Sequence, residues 1–288
     1  MTRKEFKKIL SKYSVLAIIT VVVIIALYIF NRYNSYKVAD GEVEVHFIDV
    51  GQGDAALLLS DKGSVLIDTG TTESGEKVAA YVSSRTETID YLVLSHPHED
   101  HIGGAKAVFD SVTVKNVVMP DKTADSTSFD RLMDSIEGSD AKVIAAERGV
   151  NFSVGDADFV ILSPIPGEDY EETNDVSTVV RVTYGGTSFM FTGDAEALVE
   201  KEILEEYSDI RCDVLKVGHH GSSTSSTEAF LKAVSPDIAV ISCGKDNSYG
   251  HPHFEIIKRL ENIGSNIYRT DMRGTVVITS DGKNVSVK

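Results

Sequence analysis

The sequence predicts an α/β protein, a four-layer αββα sandwich preceded by one N-terminal transmembrane helix. Three observations carry this. An uncharged apolar run opens the chain, short apolar strands gather into hairpins at the start of each half of the body, and each half then alternates strands with helices. Two such halves would bury their sheets against each other and leave the helices outside.

The apolar run covers residues 14–30, 17 residues that are polar only at Ser14, Thr20 and Tyr28. It stands at the short end of what spans a bilayer, for which about 20 residues is typical. Lys12 and Arg32 can snorkel at its two ends. The basic excess before it leaves residues 1–13 as a cytoplasmic tail and everything after the run outside, in a single-pass cell-membrane protein. A cleaved signal peptide fits the same pattern, but Asn31, Arg32 and Tyr33 follow where a small-x-small cleavage site would stand. The sequence therefore favours a retained anchor over 14–30, a polar linker over 31–40 and one domain over 41–288.

Within that domain the first half gives strands at 43–47, 55–59 and 65–67, the last two around a Ser-Asp-Lys-Gly turn. A helix at 76–83, a strand at 91–94, a helix at 105–109, a strand at 116–118 and a helix at 126–136 follow. The second half gives a strand at 159–162, then a hairpin of 178–183 and 188–191 across Tyr184-Gly185-Gly186. After it come a helix at 195–207, a strand at 214–217, a helix at 227–234, a strand at 238–241 and a helix at 254–263. Strands at 266–268 and 275–279 close the chain. Cys212 and Cys243 flank neighbouring strands at opposite ends, roughly 20 Å apart, so no disulfide is expected.

Charge is divided unevenly. Residues 1–40 hold seven basic and two acidic side chains, and the whole chain is at −16, so residues 41–288 carry −21. Such a body repels polyanions at long range, which excludes non-specific nucleic-acid binding through a basic surface.

Seven of the eight histidines fall in loops after predicted strands. The densest group is His96-Pro97-His98-Glu99-Asp100-His101. In an extended segment His96 and His98 project to one side as a clamp on one metal ion. Asp100 and His101, beyond the bend, can hold a second ion about 3.5–4 Å away, and such a pair activates a water and stabilises a leaving oxygen. Gly103-Gly104 would let the backbone turn tightly into the next helix.

This run resembles the His-x-His-x-Asp-His signature of the metallo-β-lactamase superfamily, whose fold is the αββα sandwich. The resemblance implies that Asp194, in Phe191-Thr-Gly-Asp194, bridges both ions. It implies that a histidine of Val217-Gly-His219-His220-Gly221 is a further ligand, His219 being assigned and His220 the alternative. Asp68, in Leu66-Ile-Asp-Thr-Gly70, looks like the family's early aspartate behind the metal loop. A closer similarity is to the β-lactamase-like domain of ComEC-type DNA-uptake proteins. It rests on Phe47-Ile-Asp-Val-Gly-Gln-Gly-Asp54, His101-Ile-Gly-Gly104, Leu215-Lys-Val-Gly-His-His-Gly-Ser222, Asn247-Ser-Tyr-Gly-His-Pro252 and Tyr268-Arg-Thr-Asp271. That similarity implies phosphodiester hydrolysis, DNA being one candidate substrate. ComEC proteins have many membrane helices, so the similarity does not extend to an uptake channel.

One departure bears on the metal. No histidine occurs from residue 102 to 218, where the wider family has its third-motif histidine; Asn174, Asp175 and Ser177 stand there instead. Oxygen ligands tilt preference from zinc toward manganese or magnesium, and the two divalent ions are left as zinc or manganese. Asp100, His220 and His251 are the candidate catalytic residues, the two histidines as general acid or phosphate clamp. Ser222, Ser223, Ser225 and Ser226 precede a helix whose first amides suit either a phosphate or ordinary capping. His46 and His253 read as structural, and Gln52 and Asp54 lie in a turn able to approach the site. Competing functions are hydrolysis of another ester, such as phosphocholine, or of a lactam, and a membrane-anchored binding protein with a disabled site.

Overall fold

The computed structural model describes residues 17–26 and 36–288. The chain divides into two units, Met1–Lys37 and Val38–Lys288. In the first, residues 17–26 are helical with every side chain exposed, Ile18, Ile19, Val22 and Ile24 among them. Among the described residues no helix is long and apolar enough to cross a membrane. Residues 14–16 and 27–30 of the expected anchor lie outside the described residues, as do the tail 1–13 and linker residues 31–35.

The second unit begins with β1 (Val43–Phe47), β2 (Ala56–Ser60) and β3 (Gly63–Ile67), an antiparallel meander. β4 (Thr88–Val93), β5 (Thr113–Met119) and β6 (Lys142–Ala145) extend it in parallel. β7 (Asn151–Val154), β8 (Ala157–Ser163), β9 (Val179–Tyr184) and β10 (Thr187–Phe191) start a second sheet as an antiparallel meander. β11 (Val214–Lys216), β12 (Ile238–Ile241) and β13 (Asn266–Arg269) extend it in parallel. β14 (Val276–Ser280) returns to pair with β1, and β15 (Val285–Val287) closes that edge, giving sheets of eight and seven strands.

The period of two decides which face each side chain takes. Val43, Val45, Phe47, Val65 and Ile67 of the first sheet share one core with Phe159, Val180, Phe189, Phe191 and Val240 of the second. The alternate residues Met190, Leu215, Ala239 and Ile241 pack instead against Val199, Ile203, Phe230, Leu231, Ile256 and Leu260. Those belong to helices Ala197–Glu206, Glu228–Val234 and Phe254–Asn262. On the first sheet, each connection between the parallel strands β3, β4, β5 and β6 carries a helix. The helices there, Gly75–Ser83, Ala105–Ser111 and Thr127–Glu137, lie side by side, and Leu57, Leu66 and Leu92 are fully buried on the face away from the second sheet. The layers are αββα.

Three strands are not foreshadowed in the sequence, β6, β7 and the edge strand β15. β6 is an edge strand with three of its four residues exposed, and β7, at the other sheet's edge, is exposed at Asn151 and Ser153. Edges lack the buried alternation by which a strand is recognised. The helix expected at 195–207 starts only at Ala197, because the preceding residues carry Asp194 off the end of β10. In β1, Glu44 and His46 are buried; His46 Nε2 meets Glu44 at 3.0 Å and Nδ1 meets the Tyr81 hydroxyl at 2.8 Å. Cys212 and Cys243 are free and buried.

Candidate metal centre

The site forms where β3, β4, β10, β11 and β12 end, so side chains from both sheets converge. After β4 the chain stays extended through His98 (φ −77°, ψ 150°), and the short helix Glu99–Ile102 turns Asp100 and His101 back. Gly103 and Gly104 have ordinary helical angles, φ −60° and −81°. Their requirement is space: a Cβ on Gly103 would collide with the Thr72 amide, and one on Gly104 with the Thr69 carbonyl. Beneath the loop, Asp68 takes a left-handed backbone, φ 58°, which a non-glycine residue adopts only where its surroundings hold it there. Its Oδ1 accepts from the Ser95 amide at 2.8 Å, and Oδ2 accepts from Ser95 Oγ at 2.8 Å and lies 2.9 Å from His101 Nδ1. Nδ1 of His101 therefore donates to Asp68, which leaves Nε2 facing the site.

From the second sheet, Asp194 follows β10 with its amide donating to Ser177 Oγ at 3.1 Å. His219 and His220 follow β11 in the turn Gly218–Gly221, both left-handed at φ 48° and 54°. Asp194 Oδ2 is the hub. Its distances are 3.4 Å to His101 Nε2, 3.6 Å to His220 Nε2, 3.6 Å to His219 Nε2 and 3.9 Å to His96 Nε2. His220 Nε2 also lies 3.2 Å from Asp100 Oδ2. His96 Nε2 and His98 Nδ1 face each other at 2.9 Å.

Ligand atoms of Asp100, His101, Asp194 and His220 all lie within 4.8 Å of one another. His101 Nε2 and Asp194 Oδ1 are buried without a hydrogen-bond partner, a costly arrangement for polar atoms unless a cation is the partner. The donor set of imidazole and carboxylate suits a divalent ion. Electrostatics agree. Burial alone would lower His101 and His220, yet Asp194 and its neighbouring carboxylates raise His101 well above the usual range and His220 to about 10. Burial alone would likewise raise Asp194, but the His101 and His220 rings hold it well below the carboxylate range. The cluster thus concentrates negative charge and attracts positive charge to one point.

His220, the alternative in the sequence, is the histidine that closes the set with Asp100 and His101. His219 reaches the same Asp194 oxygen from a more open position, with Nδ1 3.2 Å from Thr224 Oγ1 and 3.3 Å from Glu196 Oε1. His251 stands at the rim, its ring centroid 5.7 Å from that of His219 and 6.3 Å from that of His220. Its Nδ1 is buried without a hydrogen-bond partner. Burial, helped by the His220 and His219 rings, lowers it to about 4. His253 Nδ1 accepts from the Ser223 amide at 3.0 Å.

The serine-rich approach to helix Glu228–Val234 is capping. Glu200 accepts from the Ser226 and Thr227 amides, the latter at 2.8 Å, and Thr227 Oγ1 accepts from the Phe230 amide. Those amides are taken. Asn174, in the loop that replaces the third-motif histidine, donates to Glu196 Oε1 at 3.1 Å, while its Oδ1 is buried without a hydrogen-bond partner. Gln52 Oε1 accepts from the Gly244 amide at 3.0 Å.

Two groups beside the site escape sequence reasoning. Ser95 Oγ sits 3.0 Å from His96 Nδ1 and 3.1 Å from His101 Nδ1, joining both to Asp68. Lys216 is buried in β11 with Nζ 2.6 Å from Asp54 Oδ2. A lysine inside the apolar run Val214-Leu-Lys-Val217 is the signal that something buried must pair with it.

The chain is 34% identical over 260 residues to ComE operon protein 3 of Bacillus subtilis (strain 168), covering 84% of this chain and 33% of that protein. It is 32% identical over 250 residues to Competence protein ComA of Neisseria gonorrhoeae, covering 86% of this chain and 34% of that one. The chain thus spans about a third of the length of these curated relatives. Among solved structures, the metallo-beta-lactamase fold protein YhfI from Bacillus subtilis superposes with a TM-score of 0.54 at 17% identity, covering 83% of this chain and 99% of that one. That likeness concerns the fold. The family model of the Metallo-beta-lactamase superfamily matches residues 48–245, over the His96–His101 run, Asp194 and His220 alike, and the chain belongs to that superfamily.

Proposed function

We propose that the protein is a membrane-anchored, extracytoplasmic phosphodiesterase that works with two divalent metal ions, zinc or manganese. The observation that carries the metal reading is the convergence of Asp100, His101, Asp194 and His220, with two of their buried atoms, His101 Nε2 and Asp194 Oδ1, lacking a hydrogen-bond partner. Asp100, His101, Asp194 and His220 would hold one ion. His96, His98 and Asp194, with His219 beside them, would hold the other. Divalent ions in such a pair supply a water activated for attack and neutralise charge on the phosphoryl oxygens.

The chain's own residues do the rest. Asp68 and Ser95 orient His101, and Ser95 also meets His96, so the ligand loop is set before substrate arrives. His251, at the rim beside His219 and His220, is the side chain we assign to contact a substrate oxygen. Phosphodiester specificity is supported by the likeness to competence proteins, and DNA is the substrate we favour. Anchoring is supported by the uncharged run over 14–30 and by the exposure of apolar side chains along helical residues 17–26, which lipid would cover.

The test is to incubate the full-length chain with DNA, RNA, bis-p-nitrophenyl phosphate and a chromogenic lactam, with each metal in turn. Cleavage of a phosphodiester supports the reading. Turnover of only a lactam or a carboxylic ester would sink it.

A further inference from the structure

We infer that the buried Lys216–Asp54 ion pair is a positioning strut that joins the two sheets and fixes the His220 imidazole against Asp100 and Asp194. The inference rests on the reading of that cluster as a metal site.

Asp54 belongs to the first-sheet side of the site, in the turn between β1 and β2. Its backbone is clamped to the ligand loop, with its amide donating to the Asp100 carbonyl at 3.1 Å and its carbonyl accepting from the Gly70 amide at 2.7 Å. Gly53, before it, has φ 135°, and a Cβ there would collide with the same Asp100 carbonyl. The turn therefore lies as close to the ligand loop as backbone allows. Lys216 belongs to the second sheet, at the end of β11, and its Nζ donates to the Val217 carbonyl at 2.9 Å as well as reaching Asp54 Oδ2. Asp54 and Lys216 are 5% and 3% exposed.

The other carboxylate oxygen, Asp54 Oδ1, lies 3.3 Å from His220 Nδ1, and the Ser242 carbonyl lies 3.0 Å from that nitrogen. A carbonyl only accepts, so Nδ1 carries a hydrogen, and Nε2 is the nitrogen directed at Asp100 and Asp194, where a bound cation would take the place of its proton. The Ser242 carbonyl takes that hydrogen, and Asp54 Oδ1, buried without a hydrogen bond of its own, stands behind the ring at ion-pair distance, where Asp68 stands behind His101 at hydrogen-bond distance. The difference is that Asp54 is itself held by a cation from the opposite sheet.

A buried ion pair adds little to stability, because desolvation cancels much of the attraction. Replacing both partners with neutral groups should leave the fold nearly as stable, whereas removing one leaves a buried charge unpaired. This separates the two roles. In the full-length chain, Lys216→Met should unfold at markedly lower temperature, and Asp54→Asn/Lys216→Met should recover most of that loss. Calorimetric titration of the metal-free chain with manganese alone, and separately with zinc alone, should then resolve two sites in the wild type. The double variant should keep one and bind the other roughly 10- to 100-fold more weakly.

Wild-type affinity for both ions in the double variant would overturn the inference and reduce the pair to packing. Failure of the double variant to fold would overturn it too, since the pair would then be a requirement of the fold. A wild-type chain that binds no metal at the Asp100–His220 cluster would instead sink the metal reading itself.

Discussion

His101 and His220, carried by different sheets, turn their Nε2 atoms to a single oxygen, Asp194 Oδ2, at 3.4 and 3.6 Å. His219 Nε2 and His96 Nε2, assigned to the other proposed ion, lie 3.6 and 3.9 Å from the same oxygen, so loss of Asp194 should affect both proposed ions. Asp194→Ala should lower bound metal and turnover together, with a rate loss on the order of 10²-fold or more. Near-normal turnover with two ions still bound, by elemental analysis, would remove Asp194 from its shared role.

The two adjacent histidines should separate in a metal titration. His220→Ala should abolish tight binding of the ion placed with Asp100 and His101. His219→Ala should weaken the other site by roughly 10-fold, because His219 is the more open ring. The reverse order would restore the assignment that the sequence favours.

Manganese should support cleavage better than zinc, since no histidine lies between residues 102 and 218 and the open position of His219 leaves room for oxygen ligands at the proposed His96–His98 site. The metal-free chain should barely shift a DNA oligonucleotide, given the −21 charge of residues 41–288 that follows from the whole-chain −16. His251→Ala should slow cleavage about 10-fold or more while leaving metal content intact. Equal rates with zinc and manganese would count against an oxygen-rich site.

The domain should lie outside the cytoplasm. Protease added to intact cells should digest residues 41–288, and a C-terminal reporter active only outside the cytoplasm should give signal. Full protection would reverse the orientation.

Glu200 offers a pH test away from the metals. Burial raises its carboxyl from 4.5 to about 7, outweighing the bonds from the Thr227 and Ser226 amides. A raised acid favours the fold in its protonated form, so this contribution is whole below about 4.5 and is lost as pH rises toward 7. Glu200→Gln lacks that slope. Between pH 4.5 and 7.5 the unfolding temperature of the wild type should fall by roughly 5 °C relative to the variant. A constant difference would mean that Glu200 titrates at its ordinary value.

The His96–His101 run is legible in the sequence because metal chemistry needs particular side chains at short spacing, whereas Asp194 and the His219-His220 pair are reached only through the resemblance to the superfamily. The meanders and crossovers are legible because each buries an alternating or continuous apolar strand. What connects residues far apart is not. Asp54 and Lys216 look like a turn residue and an intruding charge until the sheets close on each other. The serines at 222–226 look like a phosphate loop until Glu200, from another helix, takes the nearby amides. His219 and His220 are neighbours of identical chemistry, and only the left-handed turn that carries both distinguishes their directions.

Gly103 and Gly104 lie against the Thr72 amide and the Thr69 carbonyl, with no room for even one carbon. In a saturation screen for function, alanine at either position should be about as damaging as loss of a ligand, although neither glycine touches the chemistry. The site's footprint on tolerated sequence change is therefore wider than its set of reactive atoms, and a search for distant catalytic relatives gains as much from these two vacant side-chain positions as from a histidine.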